Sequence, residues 1–539
     1  MSYKSRSLLL LSAILISLFS FSQSRLSADG VKLERTLQMI NSLYVDDVDP
    51  SALTESAIRA MLKELDPHSS YLDKEEVKAM NEPLQGNFDG IGISFNMLTD
   101  TLYVMEVISG GPSQKVGILP GDKIIYVSDS LIAGVKKDNQ DVVKMLRGPK
   151  GTTVDVRILR KGISQLLDFK IIRDKIPIYS IDASYMVDDA TGYIRLSRFG
   201  VTSSEEFLKA QKELKSKGMK NMILDLTGNG GGVLQTASDI ADEFLGPGKL
   251  VVYTEGKNQP RLELKTTSSG NFEQGKLVVL VDESSASASE IVAGAVQDWD
   301  RGVVVGRRTF GKGLVQRQIP LPDGTMIRLT VARYYTPTGR SIQKPYEVGK
   351  ADEYNRDFFN RFEHGEMLHA DSIHFPDSLR HTTLINKRTV YGGGGIMPDY
   401  FVPIDTTSLT ALHRSLIAKG IVNKLAIYEV DNHRSEILEN YPDVERFKHA
   451  YRIPESMVAR MMEMATEEKV EWNEEQFEKS SQLLTTQLKA LMARDLYSPS
   501  AYFVIINQVN DIFKEGLRII ENSATYDDLL HKSGDFVNK

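Results

Sequence analysis

The chain has 539 residues, too many for a single hydrophobic core, so several domains are expected. A net charge of -7 without any basic stripe excludes a nucleic-acid-binding surface, and the absence of cysteine excludes disulfides, thiolate zinc sites and cysteine nucleophiles. None of the nine histidines lies between His68 and His364, the stretch that carries every candidate for acyl chemistry, which disfavours a serine-histidine triad.

In chain order, Lys4 and Arg6 precede an apolar stretch from Leu8 to Phe21 and then Ser22-Gln23. A charged start, a short apolar run and small residues predict an export signal over 1–22, too short to span a membrane comfortably. No other spanning segment is expected. Residues 23–85 read as helical. Asp49-Pro50 forms an N-cap and N1 pair, and Leu53, Ala57, Met61 and Leu65 make one stripe for core or dimer packing before Asp66-Pro67 stops the helix. Over 86–173 the pattern shifts to short strands with glycine punctuation, beginning with Gly90-Ile91-Gly92-Ile93 and continuing through Leu119-Pro120-Gly121-Asp122 to a short helix near Asn139 to Leu146. This unit resembles a PDZ domain. The resemblance implies that Gly90, Ile91, Gly92 and Ile93 form a loop whose backbone N–H groups hold a chain-terminal carboxylate, while the adjoining edge strand pairs with the peptide.

Residues 174–404 alternate strands and helices, the signature of an α/β layer. Met222-Ile223-Leu224-Asp225-Leu226 is a buried strand that runs into Gly230-Gly231-Gly232. Leu277-Val278-Val279-Leu280-Val281 is another, ending in Ser284-Ser285-Ala286-Ser287-Ala288-Ser289-Glu290. Gly302 to Gly306 leads to Thr309-Phe310-Gly311-Lys312-Gly313. Within this layer, 345–391 breaks the rhythm and reads as an insertion; its histidines, His364, His369, His374 and His381, match no compact zinc spacing. Residues 405–539 read as a helical region with solvated charge.

A serine hydroxyl needs a base before it attacks an acyl carbon, and a buried lysine can supply one. Lys312 lies 25 residues after Ser287. A free lysine titrates near 10.4, so basicity at neutral pH requires a shift of roughly three units, about 4 kcal/mol, within reach of burial. Gly231 and Ala288 both follow strands and offer N–H groups to an oxyanion, with Gly232 an alternative to Gly231. Ser285 and Ser289 remain alternatives to Ser287, because the run gives three hydroxyls the same local setting. Gln316, four residues beyond Lys312, is placed to hold it.

Longer runs narrow this. Leu65-Asp66-Pro67-His68-Ser69-Ser70-Tyr71, the serine run continued through Glu290-Ile291-Val292-Ala293-Gly294-Ala295-Val296-Gln297-Asp298, the lysine run through Gln316, and Tyr335-Thr336-Pro337-Thr338-Gly339-Arg340-Ser341-Ile342-Gln343 resemble the C-terminal processing peptidases, or tail-specific proteases. The resemblance covers about residues 35 to 404. It implies Ser287 as nucleophile, Lys312 as general base, Gln316 as the residue that positions the lysine, and Gly231 with Ala288 as the oxyanion hole. It also implies a PDZ domain that captures tails and gates the site, with Arg147 as a gating contact. The family's usual Asp-Leu-Arg-Asn-Asn-Pro-Gly-Gly reads here Asp225-Leu226-Thr227-Gly228-Asn229-Gly230-Gly231-Gly232, without the arginine and the proline.

The fold expected is therefore multidomain α/β: an N-terminal helical segment, a PDZ domain, a serine-protease core of the tail-specific type and a C-terminal helical region. The function expected is an exported serine endopeptidase of the periplasm or cell envelope. It would act on proteins or peptides with free, unstructured C-termini, without cofactor or metal, and homodimers are one expectation. The rival from another class is a non-catalytic PDZ scaffold on a degenerate protease shell; an acyl-transfer enzyme for small thioesters is a third reading, disfavoured by the PDZ unit and the lysine.

Overall fold

The computed structural model describes residues 27–98, 100–268 and 270–531. The export signal expected over 1–22 lies outside the described residues. No described helix is long and apolar enough to cross a membrane.

A six-stranded sheet organises the core. Its strands lie side by side in the order Ile181–Met186, Thr191–Leu196, Asn221–Asp225, Leu277–Val281, Val303–Gly306 and Tyr400–Phe401. The first pair is antiparallel and the rest run parallel. Leu277–Val281 is buried at all five positions, which explains its unbroken apolar run: both faces are covered. Helices Ser203–Ser216, Leu234–Asp242 and Ala288–Asp298 cover one face, packing Phe207, Ile240 and Val292 against Leu277, Val279 and Val281. The opposite face, with Tyr193, Ile223, Val278, Leu280, Val303 and Val305, is covered by Ile512, Phe513, Ile519 and Ile520 of Asp511–Glu521 and by Tyr526 and Leu529 of Ser523–His531. The last two described helices thus complete the core that the α/β motifs begin.

A second sheet borders the first and contains Ser70–Leu72, Leu250–Gly256, Gln259–Lys265, Leu314–Pro320 and Met326–Tyr335. The turn at Leu321 to Thr325 closes the hairpin of the last two, with Leu321 N–H donating to the Thr325 carbonyl at 2.8 Å.

The PDZ unit has its own core, built around Leu102, Ile124, Val142, Val156 and Ile158. Its sheet places Ile93–Leu98 at an edge, paired among the described residues with Thr101–Val107 alone. Helix Asn139–Leu146 buries Val142 and Leu146 against the sheet. A two-stranded neck, Asn87–Gly90 against Asp174–Pro177, joins the unit to the core. The Arg147 guanidinium pairs with Glu82 at 2.6 Å, on helix Lys74–Gln85, and lies over the Phe88 ring. The far side of the unit meets the C-terminal helices, where Lys161 Nζ donates to the Asp431 carbonyl at 2.6 Å.

The N-terminal stripe departs from expectation. Asp49 caps helix Pro50–Lys63 as anticipated, accepting from Ser51 and Ala52, but Leu53, Met61 and Leu65 stay exposed and Leu62 is the residue that packs inward. The spacing selects a helical face without saying which neighbour covers it.

Candidate active site

Parallel strands deliver their ends to one edge of a sheet, and the loops beyond those ends form the crevice where ligands bind in open α/β folds. Asn221–Asp225 and Leu277–Val281 are neighbours in register, Asp225 opposite Leu280, so the glycine triplet and the serine run leave the sheet together. Gly231 lies hard against the serine turn: a Cβ there would sit 2.6 Å from the Ala286 carbonyl oxygen and 2.8 Å from Ser287 Cβ. With φ at 97°, only glycine fits that position without strain.

Of the three alternating serines, two are structural. Ser285 Oγ donates to the Leu226 carbonyl and Ser289 Oγ to that of Asn229, both at 2.8 Å, and both residues are fully buried. Ser287 is part-exposed, and its hydroxyl donates to no group among the described residues. It caps helix Ala288–Asp298 with φ at 55°, a region that non-glycine residues occupy only under constraint. That turn sets Ser287 at the positive end of the helix.

Glu290 supplies the constraint. Its buried carboxylate accepts from the Ser287 N–H at 2.8 Å, the Gly311 N–H at 2.7 Å, the Lys312 N–H at 2.9 Å and the Thr309 hydroxyl at 2.6 Å. One side chain therefore ties the serine turn to the lysine loop. Phe310 N–H adds a bond to the Ser285 carbonyl at 3.0 Å, and the Tyr334 hydroxyl sits between the carbonyls of Ser287 and Lys312. Burial raises the Glu290 carboxyl to about 7 against the pull of its four donors. The cap signal at Ser287-x-x-Glu290 is legible in sequence; the reach to Gly311 and Lys312 is not, because it exists only after the chain closes over 22 residues.

Lys312 is largely buried. Burial, reinforced by the Arg328 guanidinium, lowers its ammonium to about 8, while Glu290 and Asp66 pull the other way. Its Nζ makes no hydrogen bond among the described residues, to Ser287 or to any other group. Gln316 lies on the strand beyond and turns elsewhere. Its amide donates to the Leu314 carbonyl and Thr330 Oγ1 and accepts from Arg328 at 3.3 Å, so its link to the lysine runs through the arginine.

The glycine loop is rigid without the missing arginine and proline. Arg195, from the neighbouring strand, donates to Asp225, to Thr227 Oγ1 and to the Thr227 carbonyl. Gly228 N–H bonds to Asp282 and Asn229 Nδ2 to the Leu196 carbonyl. Gly231 N–H donates to Asn229 Oδ1 at 2.9 Å, whereas the N–H groups of Gly232 and Ala288 have no partner among the described residues.

His68 is the residue that sequence order hid. Asp66 accepts from the N–H groups of His68 and Ser69 and from the Thr330 hydroxyl, which folds the N-terminal motif onto Met326–Tyr335 and sets His68 into the same cavity as Lys312. Burial and the nearby lysine lower the imidazole to about 4, so it stays neutral. Its Nε2 is 2.9 Å from the Tyr354 hydroxyl, a residue of the insertion. The PDZ loop residues stand apart from this cavity. Gly90 ends the neck strand, Ile91 and Gly92 form the turn, and Ile93 opens the edge strand; the Ile91 carbonyl is fixed by Ser113. Among the described residues no cluster is arranged to hold a metal ion.

Residues 190–349 match peptidase family S41, 90–171 the PDZ domain, 19–76 the activating protease CtpB N-terminal domain, and 412–498 a family of unknown function. A carboxy-terminal-processing protease of Bartonella bacilliformis is 39% identical over 311 residues, covering 57% of this chain and 70% of the relative. The carboxy-terminal processing protease CtpB of Bacillus subtilis is 35% identical, covering 58% of this chain and 65% of its own. Among solved structures, a photosystem II D1 C-terminal processing protease is similar over 58% of this chain and 84% of its own, at 29% identity and a TM-score of 0.34. By descent and by the order of its domains, the chain belongs to the carboxy-terminal processing proteases of peptidase family S41.

Proposed function

We propose that this chain is an exported serine endopeptidase that captures unstructured C-terminal tails in its PDZ groove and cuts them through a Ser287-Lys312 dyad. The observation that carries the reading is the joint placement of an undonated Ser287 hydroxyl and a Lys312 lowered to about 8, both pinned by Glu290. Neutral Lys312 takes the Ser287 proton as Oγ attacks the substrate carbonyl, and the hydrogen bond between the two forms as substrate closes the site. The tetrahedral oxyanion is held by the Ala288 N–H with an N–H of the triplet, Gly231 sharing its hydrogen with Asn229 or Gly232 giving its free one. The lysine then passes the proton to the leaving amine, and water hydrolyses the acyl-enzyme. Gln316 acts by holding Arg328 beside the lysine. Tails add to the open edge of Ile93–Leu98, their carboxylate against the N–H groups of Gly90 to Ile93. The leader at 1–22 directs the chain to the periplasm or envelope, and the exposed apolar stripe of the N-terminal helices packs against a second copy.

The test is cleavage of an unfolded reporter with an apolar tail, read by mass spectrometry, for wild type, Ser287→Ala and Lys312→Ala, with a tail-amidated reporter alongside. Cuts should vanish in both variants and weaken on amidation. Cleavage that survives Ser287→Ala overturns the dyad, and a reporter bound by wild type yet left intact identifies a scaffold.

A further inference from the structure

The geometry points to a substrate side-chain pocket, walled on its outer side by the insertion, that takes a large uncharged side chain next to the scissile bond and turns away lysine and arginine. This rests on the proposed peptidase activity. The cavity that contains Lys312 has a volume of about 440 Å³, in the range of ligand sites, with Gly230 and Ala286 on its inner side and Asn355, Asp357 and Phe358 on its outer side. Ala286 immediately precedes Ser287 and Gly230 precedes Gly231, so a chain being cut at Ser287 places a side chain adjacent to the bond at this opening. The match to peptidase family S41 ends at residue 349. The outer wall, helices Ala351–Asn355 and Asp357–Glu363, lies beyond that match.

The charges of the wall are already engaged. Lys344 Nζ pairs with Asp357 at 3.0 Å, and its ammonium lies between the Phe310 and Tyr354 rings, 4.1 and 4.0 Å from their centroids. Glu283 pairs with Arg307 at 2.7 Å. Arg361 caps the carbonyls of Arg308 and Thr309, which braces the lysine loop from outside. A cationic side chain entering here meets Lys344, Arg361 and Lys312 and finds each carboxylate occupied; its desolvation goes uncompensated. A ring or branched aliphatic chain instead meets Phe310, Phe358 and Ala286. The wall is held in place, since the Tyr354 hydroxyl contacts both His68 Nε2 and Gln343 Nε2. Phe358 is 44% exposed at the mouth, so it can be changed without disturbing the core.

The experiment uses a library of unfolded peptides with free carboxyl ends, varied on both sides of a central bond, cut by wild type, Ser287→Ala, Phe358→Ala and Phe358→Glu. In wild type, one flanking position should favour Phe, Tyr, Leu and Met over Lys and Arg by about tenfold. Phe358→Ala should reduce that preference at least about threefold, and Phe358→Glu, by supplying a free carboxylate, should raise cutting at Lys and Arg at the same position. Circular dichroism matching wild type ensures that folded enzymes are compared. Ser287-dependent cutting with an unchanged preference in both variants overturns the pocket alone. No Ser287-dependent cutting overturns the peptidase reading and the pocket with it.

Discussion

Lys312 can serve as a base only when neutral, so its setting dictates the pH response. With the ammonium lowered to about 8, kcat/KM on a tail reporter should rise with pH and reach half its maximum near pH 8. Arg328 helps hold the lysine down, so Arg328→Gln should move the rise to higher pH; a profile that stays in place removes the arginine from the argument. The same shift costs stability. The unfolded lysine titrates near 10.4, so below about pH 8 both states are protonated and the folded state carries the whole penalty, which is relieved as pH climbs from 8 towards 10.4. Lys312→Met should therefore stabilise the core by up to about 3 kcal/mol at pH 7, with the gain shrinking by pH 10, as calorimetry at the two pH values would show. Sequence could nominate this lysine through its glycine neighbours and its family motif. Local spacing could not choose among Ser285, Ser287 and Ser289, because alternation gives each the same signal; the family motif points to Ser287, and the acceptors at Leu226 and Asn229 occupy the other two hydroxyls. His68, distant from Lys312 in the chain, carries no local hint of sharing its cavity.

At the scale of elements, the site is two loops clasped by one carboxylate, and the clasp is testable. Glu290 accepts four hydrogen bonds; a glutamine has one carbonyl oxygen and must turn its NH₂ towards at least one donor. Glu290→Gln should lower stability by roughly 2–4 kcal/mol and turnover by about a hundredfold, read by thermal denaturation and reporter cleavage. Wild-type turnover in that variant would mean that the loops find their register without the clasp. Gly231→Ala probes the partner loop. Its Cβ collides with the Ala286 carbonyl in a backbone region where side chains cost on the order of 1–3 kcal/mol, so cleavage should be lost while circular dichroism is kept. The elements themselves were legible, since continuous apolar runs marked the strands Leu277–Val281 and Asn221–Asp225 as buried on both faces, and the short helix Asn139–Leu146 lies where the sequence placed it. Those inside the insertion were not. Its short helices lack an amphipathic face long enough to read, and their meaning comes from what they touch: Arg361 on the lysine loop and Tyr354 on His68. In helix Ser203–Ser216, Ser203 accepts from Gly200 N–H and Glu206 from Ser180 N–H, contacts that tie the helix to the preceding segment.

At the scale of the molecule, the motifs end near residue 404 while the core does not. In a parallel strand buried on both faces, alternate residues need different partners: Leu277, Val279 and Val281 pack on helices within the motif region, and Val278 and Leu280 pack on Ile512, Phe513 and their neighbours over 200 residues later. Nothing local in the strand says which helices cover its second face, so a boundary at 405 reads naturally from sequence and divides one core in two. A chain ending at 405 would expose Tyr193, Ile223, Val278, Leu280, Val303 and Val305 together. At about 1.5–3 kcal/mol for each large apolar side chain, that loss is on the order of 10 kcal/mol, as large as the whole net stability of an ordinary domain. Such a chain should be insoluble, or soluble only as a dye-binding aggregate without reporter cleavage. A chain that removes only residues 532–539 keeps every one of these core contacts and is the comparison for the shorter truncation. Size-exclusion chromatography of the two truncations decides the matter: a monomeric, active 405-residue chain would show that the C-terminal helices are an appendage, and its collapse would show that they are the second half of the layer that holds Ser287 in place.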